Sequence, residues 1–128
     1  MRLEQDDEQA LDRFCESWER LDEPNGWVNI VLHGYQLPAG LAPTSIDLLL
    51  RLPSQFPDAA HDMFWAIPDV TRVRTGGRPP NTDVHETHVG RTWQRFSRHL
   101  PPGTWQVGVD RLPSWLATIS KSLQRDAA

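Results

Sequence analysis

Trp27-Val28-Asn29-Ile30-Val31-Leu32-His33-Gly34-Tyr35 and Ser45-Ile46-Asp47-Leu48-Leu49-Leu50-Arg51-Leu52 decide how this chain folds. In the first run Val28, Ile30 and Leu32 alternate with Asn29, Val31 and His33. In the second, Ile46, Leu48, Leu50 and Leu52 fall on one side of the chain. A period of two sends alternate side chains to opposite faces, so both runs read as strands. Asp62 to Ile67 reads as a third, short strand. The loops between them are short: Gln36 to Thr44 holds Pro38, Gly40 and Pro43, and Pro53 to Asp62 holds the Phe56-Pro57 turn. Short connections make an antiparallel meander the natural topology.

Helical patterns lie on either side. Ala10, Leu11, Phe14, Trp18 and Leu21 recur three and four apart, so Leu3 to Leu21 is expected to be one helix with an apolar stripe. Acids crowd its first turns, where the helix dipole favours them. Asp22-Glu23-Pro24-Asn25-Gly26 is a stop and turn. A last helix is expected to begin near Asp110 as N-cap, with Pro113 in its first turn. Leu112, Trp115, Leu116, Ile119 and Leu123 would form its buried face. Pro68 to Asn81 is turn-rich, and Thr82 to Leu100 has no clean period. Helix, meander, irregular segment and helix make an α+β layout: an antiparallel sheet with helices packed on one face.

A chain of 128 residues is about one domain, here expected to span 1–128. Hydrophobic residues at 38% and charged residues at 23% fit a soluble globular protein. No run of about 18 apolar residues exists, so no membrane span is expected. Met1 to Glu8 is acidic and lacks an apolar h-region, which argues against a secretory signal. Cys15 is the only cysteine and cannot form an internal disulfide, so a reducing cytoplasm is the plain reading. The net charge of −4 is too small to dictate a partner class, but it is unevenly spread. Residues 1–23 hold nine acids and three arginines, whereas residues 70–99 hold six arginines against Asp83 and Glu86. Twelve arginines against one lysine, Lys121, read as the mark of a GC-rich genome rather than of bidentate chemistry.

Several pieces then stand in a telling order: Val31 to Leu41, Thr44 to Pro53, Phe56-Pro57-Asp58-Ala59, Asp62-Met63-Phe64-Trp65, Glu86 to His99, and Trp105 to Leu123. Together they resemble the ubiquitin-conjugating (UBC) fold, in particular the bacterial group catalogued as prokaryotic family E. The resemblance covers most of the chain. It implies a bacterial ubiquitin-like conjugation or processing pathway. The implied partners are a ubiquitin-like protein, a ThiF-type activating enzyme and a JAMM-type metallopeptidase.

Two departures qualify what the family implies. His61 lies near the place of a second proline found in eukaryotic UBC proteins. Those proteins also carry a catalytic cysteine between a His-Pro-Asn motif and a tryptophan upstream of the closing helix. Trp105 matches that tryptophan, yet Thr82 to Thr104 contains no cysteine. The resemblance therefore implies a pseudoenzyme-like component that binds the ubiquitin-like protein or its activating enzyme. Cys15, at the edge of the first apolar stripe and with no histidine within seventeen residues, reads as packing.

His85, Glu86, His88 and His99 are the densest titratable cluster and the candidate catalytic group. On a helix, His-x-x-His would put His85 and His88 on one face. Three histidines, or two with Glu86, have the donors for a zinc site with one open position, although the spacing matches no standard motif. Imidazole also titrates near neutrality and suits acid–base work. An unusual enzyme built on His88, His85 and His99, acid–base or metal-assisted, is thus the alternative to a binding protein; no cofactor is expected. Arg91, Trp93, Arg95, Phe96 and Arg98 interleave cations and aromatics, as nucleic-acid binders do. The acidic net charge and the lack of a nucleic-acid motif instead favour a protein-binding surface of Arg91, Trp93, Arg95 and Trp105.

Overall fold

The computed structural model describes residues 1–58, 62–98, 100 and 103–128. Helix α1 (Gln5–Phe14) is followed by β1 (Ser17–Asp22), β2 (Val28–Gln36), β3 (Leu41–Ala42), β4 (Ser45–Leu52) and β5 (Met63–Ile67). Then come β6 (Thr71–Arg72), β7 (His85–His88), β8 (Arg91–Ser97) and α2 (Leu112–Ala127). Six strands form one sheet in the order β1-β2-β4-β5-β8-β7, and β3 pairs with β6 apart from it. Every pairing in the large sheet is antiparallel. The layout is the expected α+β one, with an N-terminal helix, an antiparallel meander and a C-terminal helix. Among the described residues no helix is long and apolar enough to cross a membrane.

The first expected helix is half right. It ends at Phe14, and the remainder is strand β1, paired with β2 through Trp18↔Leu32 and Arg20↔Ile30. The three-and-four spacing of Phe14, Trp18 and Leu21 mimics a helical stripe, but Trp18 and Arg20 also alternate with exposed Ser17, Glu19 and Leu21. Pairing with β2 decides between the two patterns, as tertiary context overrides local periodicity. Leu21, expected in the core, is 39% exposed.

Thr82 to Leu100, which has no readable period, contains the β7–β8 hairpin. Its turn is Val89-Gly90, both at positive φ. On β8, Trp93 and Phe96 are buried on opposite faces, and Gln94 is buried too. Burial on both sides leaves no alternation to see. The Gln94 amide accepts from Val70 N at 2.6 Å and donates to Val70 O at 3.2 Å, as a neighbouring strand would. It thereby ties the chain after β5 to β8.

The main core lies between the sheet and both helices. Ala10 and Leu11 of α1 and Leu112, Trp115, Leu116, Ile119 and Leu123 of α2 pack on Ile30, Leu32, Leu48, Leu50, Phe64 and Phe96. Phe64 stacks on Phe96 at 4.7 Å and meets Trp115 edge-on at 6.5 Å. Such aromatic pairs add to the area they bury.

One buried carboxylate organises both helix starts. Asp7 is 0% exposed, and its carboxylate accepts from Glu4 N at 2.9 Å in the first turn of α1. It also accepts from Arg111 Nη2 at 2.7 Å and from Leu112 N at 3.3 Å, where α2 begins. The expected cap, Asp110, instead accepts from Gln106 N at 2.6 Å. The N-cap of α2 is Arg111, and a residue about a hundred positions away in sequence fills the role. A cap supplied across the fold is invisible to local sequence rules. Because Asp7 is dry, Arg111→Ala is expected to cost about 3–5 kcal/mol of stability in urea unfolding. Asp7→Ala should cost less, since Arg111 can then turn to water. A loss below about 1 kcal/mol for Arg111→Ala would show that this pair does not hold the helices together.

Candidate functional site

No helix residue contributes to the apolar cluster on the opposite face of the sheet, which consists of Val31, Leu49, Trp65 and Trp93. All four are nevertheless buried. Charged side chains from the strands and their flanks cover them. The Arg91 guanidinium lies 4.8 Å over the Trp93 ring, and that of Arg51 lies 4.8 Å from Trp27 and 6.0 Å from Trp65. The His88 ring meets Trp65 edge-on at 5.3 Å. Long cationic stems thus exclude water while their heads stay wet.

Two chains of charge hold this cover in place. In one, Glu86 is the hub: it accepts from Trp65 Nε1 at 3.0 Å and Arg95 Nη1 at 2.8 Å, and its Oε1 lies 3.0 Å from His88 Nε2. Arg51 continues this line, donating to Asn29 at 3.0 Å and to Glu23 at 2.8 Å. In the other, His33 lies between Glu19 and Asp47, and Asp47 accepts from Arg91 Nη1 at 2.8 Å. Burial alone would push the Glu86 carboxyl up; the bonds from His88, Trp65 and Arg95 outweigh it and hold the group below its usual range. The Glu23 carboxyl is likewise lowered, first by Arg51 and then by Asn29.

The structure sorts the expected site residues into separate places. His88, Arg91 and Arg95 come together on the helix-free face with Glu86. Trp93 is there too, but its side chain is 0% exposed and its Nε1 donates to His88 O at 2.9 Å. It packs beneath the Arg91 guanidinium rather than offering a surface of its own. The segment is a strand and not a helix, so residues three apart point to opposite faces. His85 accordingly leaves His88 and lies 2.9 Å from Asp69, which also accepts from Arg78 at 2.9 Å. Trp105 belongs elsewhere again: its Nε1 donates to Pro57 O at 2.8 Å and its ring lies 6.2 Å from Phe56, against the helix-side core. His99 and His61 fall outside the described residues. Among the described residues no three His, Cys, Asp or Glu side chains gather as a metal-binding group.

Asp47, His33, Arg51, Glu23 and Trp65 join the site although no motif singles them out. The signal was present in β4. With Ile46, Leu48 and Leu50 inward, alternation sends Asp47, Leu49 and Arg51 to the other face, polar at each end and apolar between.

Cys15 closes α1 on the helix side, and its Sγ donates to Leu11 O at 3.1 Å. Burial first, and then the charge of Asp12, push its thiol up to about 11. A thiol of that acidity is about one part in a thousand thiolate at pH 8, too little for a ready nucleophile.

The family model for prokaryotic E2 family E matches residues 3–126, and the chain belongs to that family. No curated protein and no solved structure matches it. An E2-type family supports a role in ubiquitin-like conjugation and, in general terms, dealings with ubiquitin-like proteins or their activating enzymes.

Two outcomes follow from these groups. Cys15 in the folded protein should react with iodoacetamide far more slowly at pH 8 than after unfolding, and Cys15→Ala should cost about 1 kcal/mol. A folded-state rate close to the unfolded one would contradict the raised, half-buried thiol. Glu86, whose folded value is lowered, stabilises the fold fully above the unfolded value of about 4.3 and loses that contribution as pH falls through the folded one. Wild type should therefore lose stability on acidification from about pH 5 to pH 3 more steeply than Glu86→Gln. Parallel curves would show that the Glu86 bonds carry no net stability.

Proposed function

We propose that this chain is a UBC-like component of a bacterial ubiquitin-like pathway that binds the ubiquitin-like protein or its activating enzyme, without itself forming a thioester. The observation that carries the reading is the gathering of His88, Arg91 and Arg95 on a sheet face that neither helix covers. Their hydrogen-bond partners fix their geometry before a partner arrives, which lowers the ordering cost of binding. Arginine, with tryptophan and tyrosine, is among the side chains most enriched at the energetic centres of protein interfaces. The raised, half-buried Cys15 thiol and the lack of any cysteine from Thr82 to Thr104 support binding over thioester transfer.

One observation keeps a histidine enzyme in view. Asp69 engages His85 with both carboxylate oxygens at 2.9 Å, the arrangement that orients an imidazole for proton transfer. His88 and Arg91 are not part of that pair, so the two readings separate by mutation.

Binding of a bacterial ubiquitin-like protein, and of a ThiF-type activating enzyme, is measured by calorimetry. Arg91→Ala and His88→Ala should each raise the Kd about tenfold, with the Tm little changed. In a mixture of activating enzyme, ATP and ubiquitin-like protein, no thiol-sensitive adduct should form on this chain. Unchanged Kd in both variants would remove this face from the interface. A reducible adduct on Cys15 would make the protein a conjugating enzyme. Loss of pathway activity in His85→Ala alone would favour the histidine enzyme.

A further inference from the structure

His33 uses both of its ring nitrogens on carboxylates. Nε2 lies 3.0 Å from Glu19 Oε1 of β1, and Nδ1 lies 3.2 Å from Asp47 Oδ1 of β4. A neutral imidazole has one N–H and one lone pair, so it donates to one carboxylate and opposes the other. Only the imidazolium satisfies both. The site is shaped for this contact. The β2–β4 register shifts between Leu32 and Tyr35, and Gly34 sits there at φ +72. Such a bulge re-aims the side chain beside it. The positive φ favours glycine there, and the Glu16 side chain reaches over the same spot, 2.6 Å from where a Cβ would stand. Glu19 and Glu16 face this place from the β1 side, Asp47 from β4, and Arg91 from β8 through Asp47.

We propose that His33 is a proton-operated clasp: protonated, it ties the edge strand β1 to β4 across β2, and on losing the proton it lets Glu19 go and leaves Asp47 to Arg91. Glu19 is the one released because its side chain is 51% exposed and rehydrates cheaply, whereas Asp47 is 24% exposed and keeps Arg91. The clasp therefore has two consequences. Edge strand β1 is held less firmly as pH rises. Arg91 is bound more tightly by an Asp47 whose second cation is gone, and so is less available to an incoming anion. The second consequence rests on the binding role assigned to Arg91; the first does not.

The chemistry of the group agrees. Hydrogen bonding to Glu19, with Asp47 adding to it, outweighs burial and raises the His33 value above that of an ordinary histidine. A raised value means that the stabilisation is complete below the unfolded value of about 6.5 and is lost as pH rises through the folded one. Its size is limited by water, since the His33 side chain is 35% exposed.

The test is an NMR titration of the His33 ring, with hydrogen exchange of the β1 amides on the same samples. The His33 value should lie above that of a denatured control. Glu19→Gln and Asp47→Asn should each lower it, and Arg91→Ala, which removes a nearby cation, should raise it further. Protection factors of β1 amides should fall by about twofold to fivefold as pH rises through the His33 value, the range expected of a solvent-screened pair. In His33→Gln they should not change over that interval. Should His33→Gln unfold, Glu19→Gln provides the same flat profile. A His33 value insensitive to both carboxylate variants, or β1 protection that is flat in wild type, would overturn the clasp. If the titration behaves as stated but Arg91→Ala leaves partner binding unchanged, the clasp stands and the binding reading fails.

Discussion

Both helices lie on one side of the sheet, so the other side must shield its tryptophans with the strands' own side chains. Leaving Trp65 and Trp93 bare would expose several hundred square ångströms of apolar surface, the size of patch that drives association. Here Arg51, Arg91 and His88 cover them instead, and Glu23, Asp47 and Glu86 hold those covers down. The face that results is charged, ordered and half wet. Under the binding role proposed above, such a face would meet another protein's surface without being sticky to every protein.

The helix side obeys a different constraint. Its helices start at opposite ends of the sequence and meet at one dry carboxylate. Asp7 must be charged to satisfy Arg111, and it must be buried to reach Leu112 N as well as Glu4 N. At the far end of α2, Arg98 donates to Ser122 Oγ at 2.8 Å and to Asp126 at 2.6 Å. Helix α2 is thus fixed at its start by α1 and near its end by the residue that follows β8.

The parts of the fold legible in the sequence are those where one side of an element is wet. Ser45–Leu52 alternates because its outward residues Asp47 and Arg51 are polar, and α2 shows a stripe because its far side is solvated. The parts that stayed hidden fail for stated reasons. Strand β8 carries Trp93 for one face and Phe96 for the other, so its period vanishes. The hairpin turn uses Val89 at φ 47, a β-branched residue where Asn or Asp would announce a turn. Strand β1 continues the spacing of the helix before it. For the site, the cluster of His85, Glu86 and His88 was visible in sequence, but its meaning depended on the element that bears it. A strand divides the two histidines between faces, and only Glu86 and His88 remain together.

This division also bears on what the site can do. Thioester chemistry asks for a thiolate, which needs positive charge and water nearby. Cys15 is half-buried against the helix-side core and has the negative charge of Asp12 in place of a positive one. Acid–base chemistry asks for an imidazole beside a group to be deprotonated, and both His85 and His88 face carboxylates that are themselves held by arginines. Recognition asks for less: donors in fixed positions and a cover that resists collapse. The face with Arg91, Arg95 and His88 meets that demand with bonds already made inside the chain. Every one of those bonds also lowers the freedom an unbound side chain would lose on contact, so under the binding role proposed above the network that shields Trp65 and Trp93 would also reduce the ordering cost of meeting a partner.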